Sequence, residues 1–321
     1  MIVVADTSIC SSNTGDQIIA RAAYAALREL TDRYGLRYVP THTGMGYRGR
    51  RIVRQGSATL VAGTNLLSAH VGIKQQWRTP PLPTGLRRMI TFGCAFGSGE
   101  DPVGRTARTY LRSVLDPAAL HSVRDRHAAD SLTAMGFQAL YTGCPTMWLV
   151  DSIAKPTDEV DRGDGLVILN ASLGKPELDR LLLETGAARW DRLHFWAQSP
   201  MDFAYRSQLP PGSTVVAPSL EGLGEFLLTH PGAEILTTRL HAAIFCQWHG
   251  ARPRLIAVDT RTKRCADDAG MTRFAVPTSR TELDAVFDAP TPLPANPPAE
   301  AKQAWFDALT RLVESREHVA G

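Results

Sequence analysis

The segment with the most chemical content is Ile235-Leu-Thr-Thr238-Arg239-Leu-His241-Ala-Ala-Ile-Phe245. An apolar run ends there, two threonines that can cap follow, and a helical pattern opens with Arg239 and His241 in its first turn. A helix N-terminus carries partial positive charge and unpaired amides, so it is an anion site before any side chain is added. A cation at that end is opposed by the dipole unless an anion is bound, and such local conflicts cluster at functional sites. His241 would be a titratable group beside the anion. The bland alternative is a histidine packed beside Phe245 one turn on.

Further candidates follow other apolar runs. In the loop after Met1-Ile-Val-Val-Ala-Asp6, the residues Asn13-Thr-Gly15-Asp16 precede a helical pattern. Asp16 can cap that helix and Gly15 can permit its tight entry, and both roles are compatible with ligand contact. Gly63-Thr-Asn65 and Gly93-Cys-Ala-Phe-Gly97-Ser-Gly99 bring small residues that would let backbone N–H groups approach a ligand, or simply turn the chain. Val123-Arg124-Asp125 reads as an anion binder at a strand end or as a surface ion pair. After Arg254–Val258 the chain reads as a basic loop containing Asp259 and Lys263, with Lys263 a phosphate partner or one of a solvated charge run. His42, His70, His127, His194, His230 and His318 show no partner spacing. The dinucleotide fingerprint and the HExxH, GxSxG and GxxxxGK[ST] motifs are absent, which leaves classical NAD, zincin, serine-hydrolase and P-loop readings without support.

The elements that must position these residues alternate between short apolar runs and helical patterns, an α/β rhythm with parallel strands. Strands are expected at Ile2–Ala5, Tyr38–Pro40, Thr59–Ala62, Met89–Phe92 and Leu120–Val123, with helices at Gln17–Leu30 and Ala128–Met135. The rhythm restarts with strands at Leu166–Asn170, Leu193–Ala197, Thr214–Ala217, Glu234–Leu236 and Arg254–Val258. Helices at Pro176–Glu184, Ser219–Thr229 and Leu240–His249 lie between them. The expectation is two Rossmann-like domains, 1–150 and 165–321, joined by an acidic linker over 151–164. A proline-rich connector over 289–298 leads to an amphipathic helix, Ala299–Glu317, with Ala304, Trp305, Leu309 and Leu312 on one face, grouped with the second domain though able to pack back on either. In such sheets ligands bind beyond the carboxyl ends of the strands.

Composition sets the outer bounds. The 321 residues suffice for two cores, and 44% hydrophobic residues exclude disorder as the main state. No run approaches the ~18–20 apolar residues of a membrane span, and the first residues read as a strand, not a signal peptide. Five scattered cysteines without a CxxC pair argue against a disulfide framework or zinc site and for a reducing cytoplasm. A net charge of +3 does not imply nucleic acid. Thirty arginines against five lysines fit either a genomic bias or a pocket for phosphate and carboxylate, which guanidinium binds through a planar fork.

Taken together, Asn13-Thr-Gly15-Asp16, Ser122-Val-Arg124-Asp125, Gly143-Cys-Pro145, Thr238-Arg239-Leu-His241 and Asp259 with Lys263 fall in an order similar to that of the polysaccharide pyruvyltransferase family, from about residue 10 to residue 265. The resemblance implies a two-domain glycosyltransferase-B fold, with 1–150 on the acceptor side, 165–321 on the donor side and the active site between the domains. It also implies transfer of pyruvate from phosphoenolpyruvate to sugar hydroxyls as a ketal, with release of phosphate. Arg124 and Arg239 would hold the donor's phosphate and carboxylate, His241 would be the acid/base, and Lys263 and Thr238 would assist with the donor. Asn13, Gly15, Asp16, Gly63 and Asn65 would line the cleft. No metal or cofactor is expected beyond phosphoenolpyruvate as co-substrate. The partners are that donor and a carbohydrate acceptor (a polysaccharide, a lipid-linked glycan or a small glycoside), in the cytoplasm or peripheral to the inner membrane face. The chain departs from the family in having Ala128 where a serine is usual and in a thin glycine stretch at Gly63. The competing readings are a glycosyltransferase using a nucleotide sugar, for which Glu221 is the nearest ribose-binding acid, and a non-catalytic glycan- or anion-binding relative.

Overall fold

The computed structural model describes residues 1–70, 76–78, 86, 88–97, 102–150 and 161–320. It divides into two compact units, one of Met1–Ser11, Ile19–Trp148 and Pro297–Gly321, the other of Ser12–Ile18 and Leu149–Asn296.

The first part of the chain runs β1 (Ile2–Asp6), α1 (Thr14–Tyr34), β2 (Leu36–Pro40), α2 (Tyr47–Gln55), β3 (Ala58–Ala62), β4 (Met89–Phe92), α3 (Arg105–Val114), β5 (Leu120–Val123), α4 (Arg126–Thr133) and β6 (Gln138–Tyr141). Four strands form a parallel sheet in the order β2-β1-β3-β4, and β5 pairs in parallel with β6. A parallel bridge between Cys94 and Val123 ties the end of β4 to β5. β1, β3 and β4 are buried at every position, as strands covered on both faces must be. Alternate side chains feed two cores: Val3, Ala5, Val61 and Met89 on one face, Ile2, Val4, Leu60 and Phe92 on the other.

The second unit runs β7 (Asp161–Ile168), α5 (Pro176–Arg189), β8 (Arg192–Phe195), a 3-10 segment Pro200–Gln208, β9 (Thr214–Val215), α6 (Leu220–Thr229), β10 (Ala233–Thr237), α7 (Leu240–Trp248), β11 (Arg254–Leu255), α8 (Thr260–Asp268) and α9 (Arg280–Asp288). Its five strands are parallel in the order β11-β10-β7-β8-β9. The strand order therefore reverses between β7 and β10, and in the first unit between β1 and β3. At such switch points the flanking connections leave on opposite faces and open a crevice at the carboxyl ends.

Two expectations on organisation need correction. Residues 151–160 of the expected linker lie outside the described residues, while 161–164 belong to β7. Asp164 and Gly165 look like linker residues, but tertiary partners satisfy them. Arg192 Nη2 and His194 Nε2 donate to the Asp164 carboxylate at 2.6 and 3.0 Å. A Cβ on Gly165 would meet Trp190 Cδ2 at 1.8 Å, so only glycine lets the indole lie flat on the strand.

The terminal helix, α10 (Ala299–Ala320), packs in the first unit and not the second. Trp305, Leu309 and Val313, one face at a spacing of four, sit in the core with Phe92 and Leu27, whereas Ala304 is exposed. Trp305 stacks on Phe92 with centroids 4.6 Å apart. Arg316 donates to Ser57 O at 3.0 Å and also reaches the Asp116 carboxylate, and Glu317 pairs with the Met1 amino group. Among the described residues α2, α3, β6, α8 and α9 add to the expected elements. α8 replaces the expected basic loop because Asp259 caps it, accepting the Thr262 N–H at 2.6 Å.

Two measurements test this packing. Trp305→Ala removes a wholly buried indole and should destabilise the first unit by about 3–5 kcal/mol in denaturant unfolding. In the second unit, burial alone would raise the Glu234 pKa. The Arg189 and Trp190 hydrogen bonds and the Arg254 charge outweigh it and hold the group below its ordinary 4.5. A carboxylate with a depressed folded-state pKa contributes stability above its unfolded pKa and loses it as pH falls through the folded value. Unfolding of the second unit should therefore become easier as pH drops below 4.5, and Glu234→Gln should remove that part of the acid dependence.

Candidate functional site

In the second unit the switch point places Arg239 between the ends of β7 and β10. Thr238 donates its N–H to Ile168 O at 3.0 Å, continuing the ladder one residue past the strand. Thr237 Oγ1 accepts the Arg239 N–H at 2.9 Å, so one of the two threonines does make a local bond to the chain at the start of α7. Arg239 itself occupies the N-cap position of α7, not the first turn. Its side chain is bonded at two nitrogens. Nε donates to Leu169 O at 3.2 Å, and Nη2 donates to Ser199 Oγ at 3.0 Å and to Asp202 Oδ1 and Oδ2 at 2.5 and 2.6 Å.

Asp202 is wholly buried, and Arg239 keeps 10% of its side chain exposed. Asp202 also accepts the N–H of Ala171 at 3.0 Å and of Ser199 at 2.9 Å, so three donors converge on one carboxylate. This resolves the local conflict of a cation at a helix N-terminus: an internal anion holds it there. Asp202 fixes Nη2 and the Leu169 carbonyl fixes Nε, while Nη1 makes no hydrogen bond among the described residues. Nη1 is thus the one guanidinium nitrogen that no described residue takes. Thr238 Oγ1 is buried without a hydrogen-bond partner, beside this cation. His241, in the first turn of α7, is half-buried. The Phe245 ring pairs instead with Trp248 and His249, at 5.3 and 4.8 Å.

The Asn13-Gly15-Asp16 segment belongs to the same unit and meets the same loop. Thr14 donates its N–H to Gln198 O at 2.9 Å, and Gln198 Nε2 donates to Asn13 Oδ1 at 2.9 Å. Gln198 adjoins Ser199, the residue bonded to Arg239. Helix α1 starts at Thr14, so Asn13 takes the capping role expected of Asp16: its Oδ1 accepts the Gly15 N–H at 3.0 Å. Asp16 is buried as the third helical residue. A Cβ on Gly15 would lie 2.6 Å from Gln198 Nε2, so glycine here serves the close approach of Gln198. Gln198 Oε1 is buried and without a partner. Lys263 is exposed on α8, and its ammonium makes no hydrogen bond among the described residues.

In the first unit Arg124 follows β5 and is 3% exposed. Its N–H bonds Cys94 O at 3.1 Å, and its Nη2 donates to Asn65 Oδ1. Asn65 therefore orients Arg124. Asp125 caps α4 by accepting the Ala128 N–H at 2.8 Å and is not paired with its neighbour, contrary to the surface ion-pair alternative. Gly63 plays a packing role: its N–H is spent on Phe92 O at 2.8 Å, its φ is +68°, and a Cβ would lie 2.0 Å from Ile19 Cγ2. It is not an anion-binding amide. The Gly93 amide is likewise spent on Ser122 O at 3.0 Å, and Gly99 lies outside the described residues. The charge of Arg124 opposes, without overcoming, the burial that pushes the Cys94 thiol up to about 12. That cysteine is inert at neutral pH.

Sequence reading passed over Gln198, Ser199 and Asp202. Their signal was Ser199-Pro-Met-Asp202 after a strand, a capping box in which Ser199 and Asp202 exchange backbone bonds.

Two Rossmann-like parallel α/β units define a protein of the glycosyltransferase-B fold. A solved structure with this architecture is the UDP-GlcNAc 2-epimerase of Methanocaldococcus jannaschii, crystallised with UDP-GlcNAc and UDP. It has a TM-score of 0.55 and 11% identity, with 97% of this chain and 99% of that chain covered. The Escherichia coli heptosyltransferase WaaC, with ADP-2-deoxy-2-fluoro heptose, matches at a TM-score of 0.38 and 11% identity over 89% of this chain and 98% of that chain. No curated protein matches the sequence. The polysaccharide pyruvyl transferase family model matches residues 13–195, more than half of the chain, and the chain belongs to that family.

The Arg239–Asp202 pair is testable by itself. Asp202→Ala leaves a buried guanidinium without its counter-ion and should cost the second unit about 3–5 kcal/mol in denaturant unfolding. Asp202→Asn, which keeps the shape and a carbonyl acceptor, should cost less.

Proposed function

We propose that this transferase moves pyruvate from phosphoenolpyruvate to two hydroxyls of a sugar, releasing phosphate and leaving a cyclic ketal. The observation that carries the reading is Arg239 at the switch point of the second unit, held by Asp202 with Nη1 left over, in a chain of the pyruvyl transferase family. Phosphoenolpyruvate bears a phosphate and a carboxylate, and a fixed guanidinium beside a helix N-terminus suits either group. Thr238 Oγ1 is a further polar group at that place. Arg124, oriented by Asn65, is an anion-holding residue of the first unit, and Lys263 is an accessory cation.

Protonation of the donor's methylene carbon makes the adjacent carbon electrophilic. One sugar hydroxyl forms a C–O bond there and gives up its proton, the C–O bond to phosphate breaks, and the second hydroxyl closes the ring and gives up its own proton. One proton goes to carbon and two leave oxygen, the balance being carried off on phosphate. His241 is the proposed acid/base for these transfers, since imidazole both gives and takes protons near neutral pH. The preset Arg239 charge would stabilise the leaving phosphate without reorganising. The acceptor is a carbohydrate, and the protein works in the cytoplasm or at the inner membrane face, near lipid-linked acceptors. No helix among the described residues is long and apolar enough to cross a membrane.

Incubation of the full chain with phosphoenolpyruvate and a panel of glycosides should release inorganic phosphate and give an acceptor with the mass gain of a pyruvate ketal. His241→Ala should lower kcat by about 10²–10⁴-fold with donor binding retained. Arg239→Lys keeps the charge but loses the fork, so it should mainly weaken donor binding, by about 10-fold or more. Full activity of the His241 variant would remove it from the mechanism. Absence of phosphate release with every glycoside, together with tight nucleotide-sugar binding, would replace pyruvyl transfer by glycosyl transfer.

A further inference from the structure

A second cluster of chemistry-bearing side chains lies in the second unit. Asp164 on β7, His194 on β8 and His230 after α6 each bring one ligand atom within 4.8 Å of the others. We propose that these three residues bind a divalent transition-metal ion of the zinc type.

The hydrogen bonds around the cluster support this assignment. His230 Nδ1 lies 2.9 Å from Thr229 Oγ1 and 3.1 Å from Phe226 O. The Thr229 hydroxyl gives its hydrogen to Glu225 O at 2.9 Å and a carbonyl oxygen can only accept, so the proton sits on Nδ1 and the Nε2 lone pair is left for a ligand. Phe226 also stacks on the His230 ring at 4.4 Å, which fixes its plane. His194 has the same outer arrangement, with Thr214 Oγ1 2.5 Å from Nδ1. Its Nε2 lies 3.0 Å from Asp164 Oδ1. Two ligands bound at about 2.0–2.1 Å on a tetrahedral ion lie about 3.3 Å apart, so this pair needs a shift of only a few tenths of an ångström. Metal-binding histidines characteristically donate their second ring N–H to a carbonyl, hydroxyl or carboxylate that sets the tautomer, and both of these do or can.

Asp164 is buried and accepts from both His194 and Arg192. Arg192 takes only Oδ2 and is itself 64% exposed, which leaves Oδ1 facing His194. Two imidazoles and one carboxylate suit zinc, cobalt or nickel better than calcium or magnesium, which prefer oxygen ligands. Binding shifts one proton: the His194 hydrogen that faces Asp164 gives way to the metal, and the ring carries its hydrogen on Nδ1 toward Thr214. The three residues come from separate elements with no motif spacing, so nothing in the sequence marks them. An ion there would fasten β7, β8 and the end of α6 together.

The test uses the full chain carrying Cys10→Ser, because Cys10 is an exposed thiol and a competing ligand. Calorimetric titration with Zn2+ should show one ion per chain and a rise in Tm, and Co2+ should give the visible bands of a low-coordinate nitrogen–oxygen site. His230→Gln and His194→Gln should abolish both signals. Thr214→Val keeps all three ligands and should weaken binding by about 10–100-fold, which holds the test open if a histidine variant fails to fold. No stoichiometric binding in the parent, or equal binding in parent and variants, overturns the proposal.

Discussion

The buried pair between Arg239 and Asp202 organises the carboxyl end of the second sheet. Three separate pieces of chain meet at the Asp202 carboxylate: the guanidinium at the start of α7, the amide of Ala171 after β7, and the amide of Ser199 after β8. A buried ion pair of this kind adds little net stability against an apolar replacement, because desolvation offsets most of the attraction. What it does is set geometry. With Nε and Nη2 committed, the guanidinium has one orientation.

The first unit treats its arginine differently. Arg124 is more deeply buried; its Nη2 donates to the amide oxygen of Asn65, and its backbone N–H donates to Cys94 O. The same loop cluster depends on glycines whose amides are consumed by neighbouring strands and whose missing side chains admit Ile19 and Pro145. These glycines shape the crevice and do not form its binding groups. The distinction matters because small residues after a strand suggest either role equally.

The same physics explains the elements that were hard to read. Asp164 and Gly165 in β7 resemble a polar linker until Arg192, His194 and Trp190 are placed against them. The run Thr260-Arg-Thr-Lys-Arg resembles a solvated loop, yet one hydrogen bond from Thr262 to Asp259 starts a helix there. α10 carried the right periodicity, but periodicity does not say which core an amphipathic helix completes. Trp305 found its partner in Phe92, more than two hundred positions earlier in the chain.

The sequence by itself determined the parallel α/β character, since continuous apolar runs such as Ile2–Asp6 and Ala58–Ala62 can only be strands buried on both faces. It also determined the positions of Arg239, His241 and Arg124, because strand ends and helix starts are local signals written in neighbouring residues. The family order of motifs was legible for the same reason. Tertiary structure alone decided that Asp202 holds Arg239, that Gln198 joins Asn13 to that loop, and that Asp164, His194 and His230 converge. Each of those contacts links residues dozens of positions apart or more, and a one-dimensional pattern carries no record of which distant side chain will satisfy a buried charge.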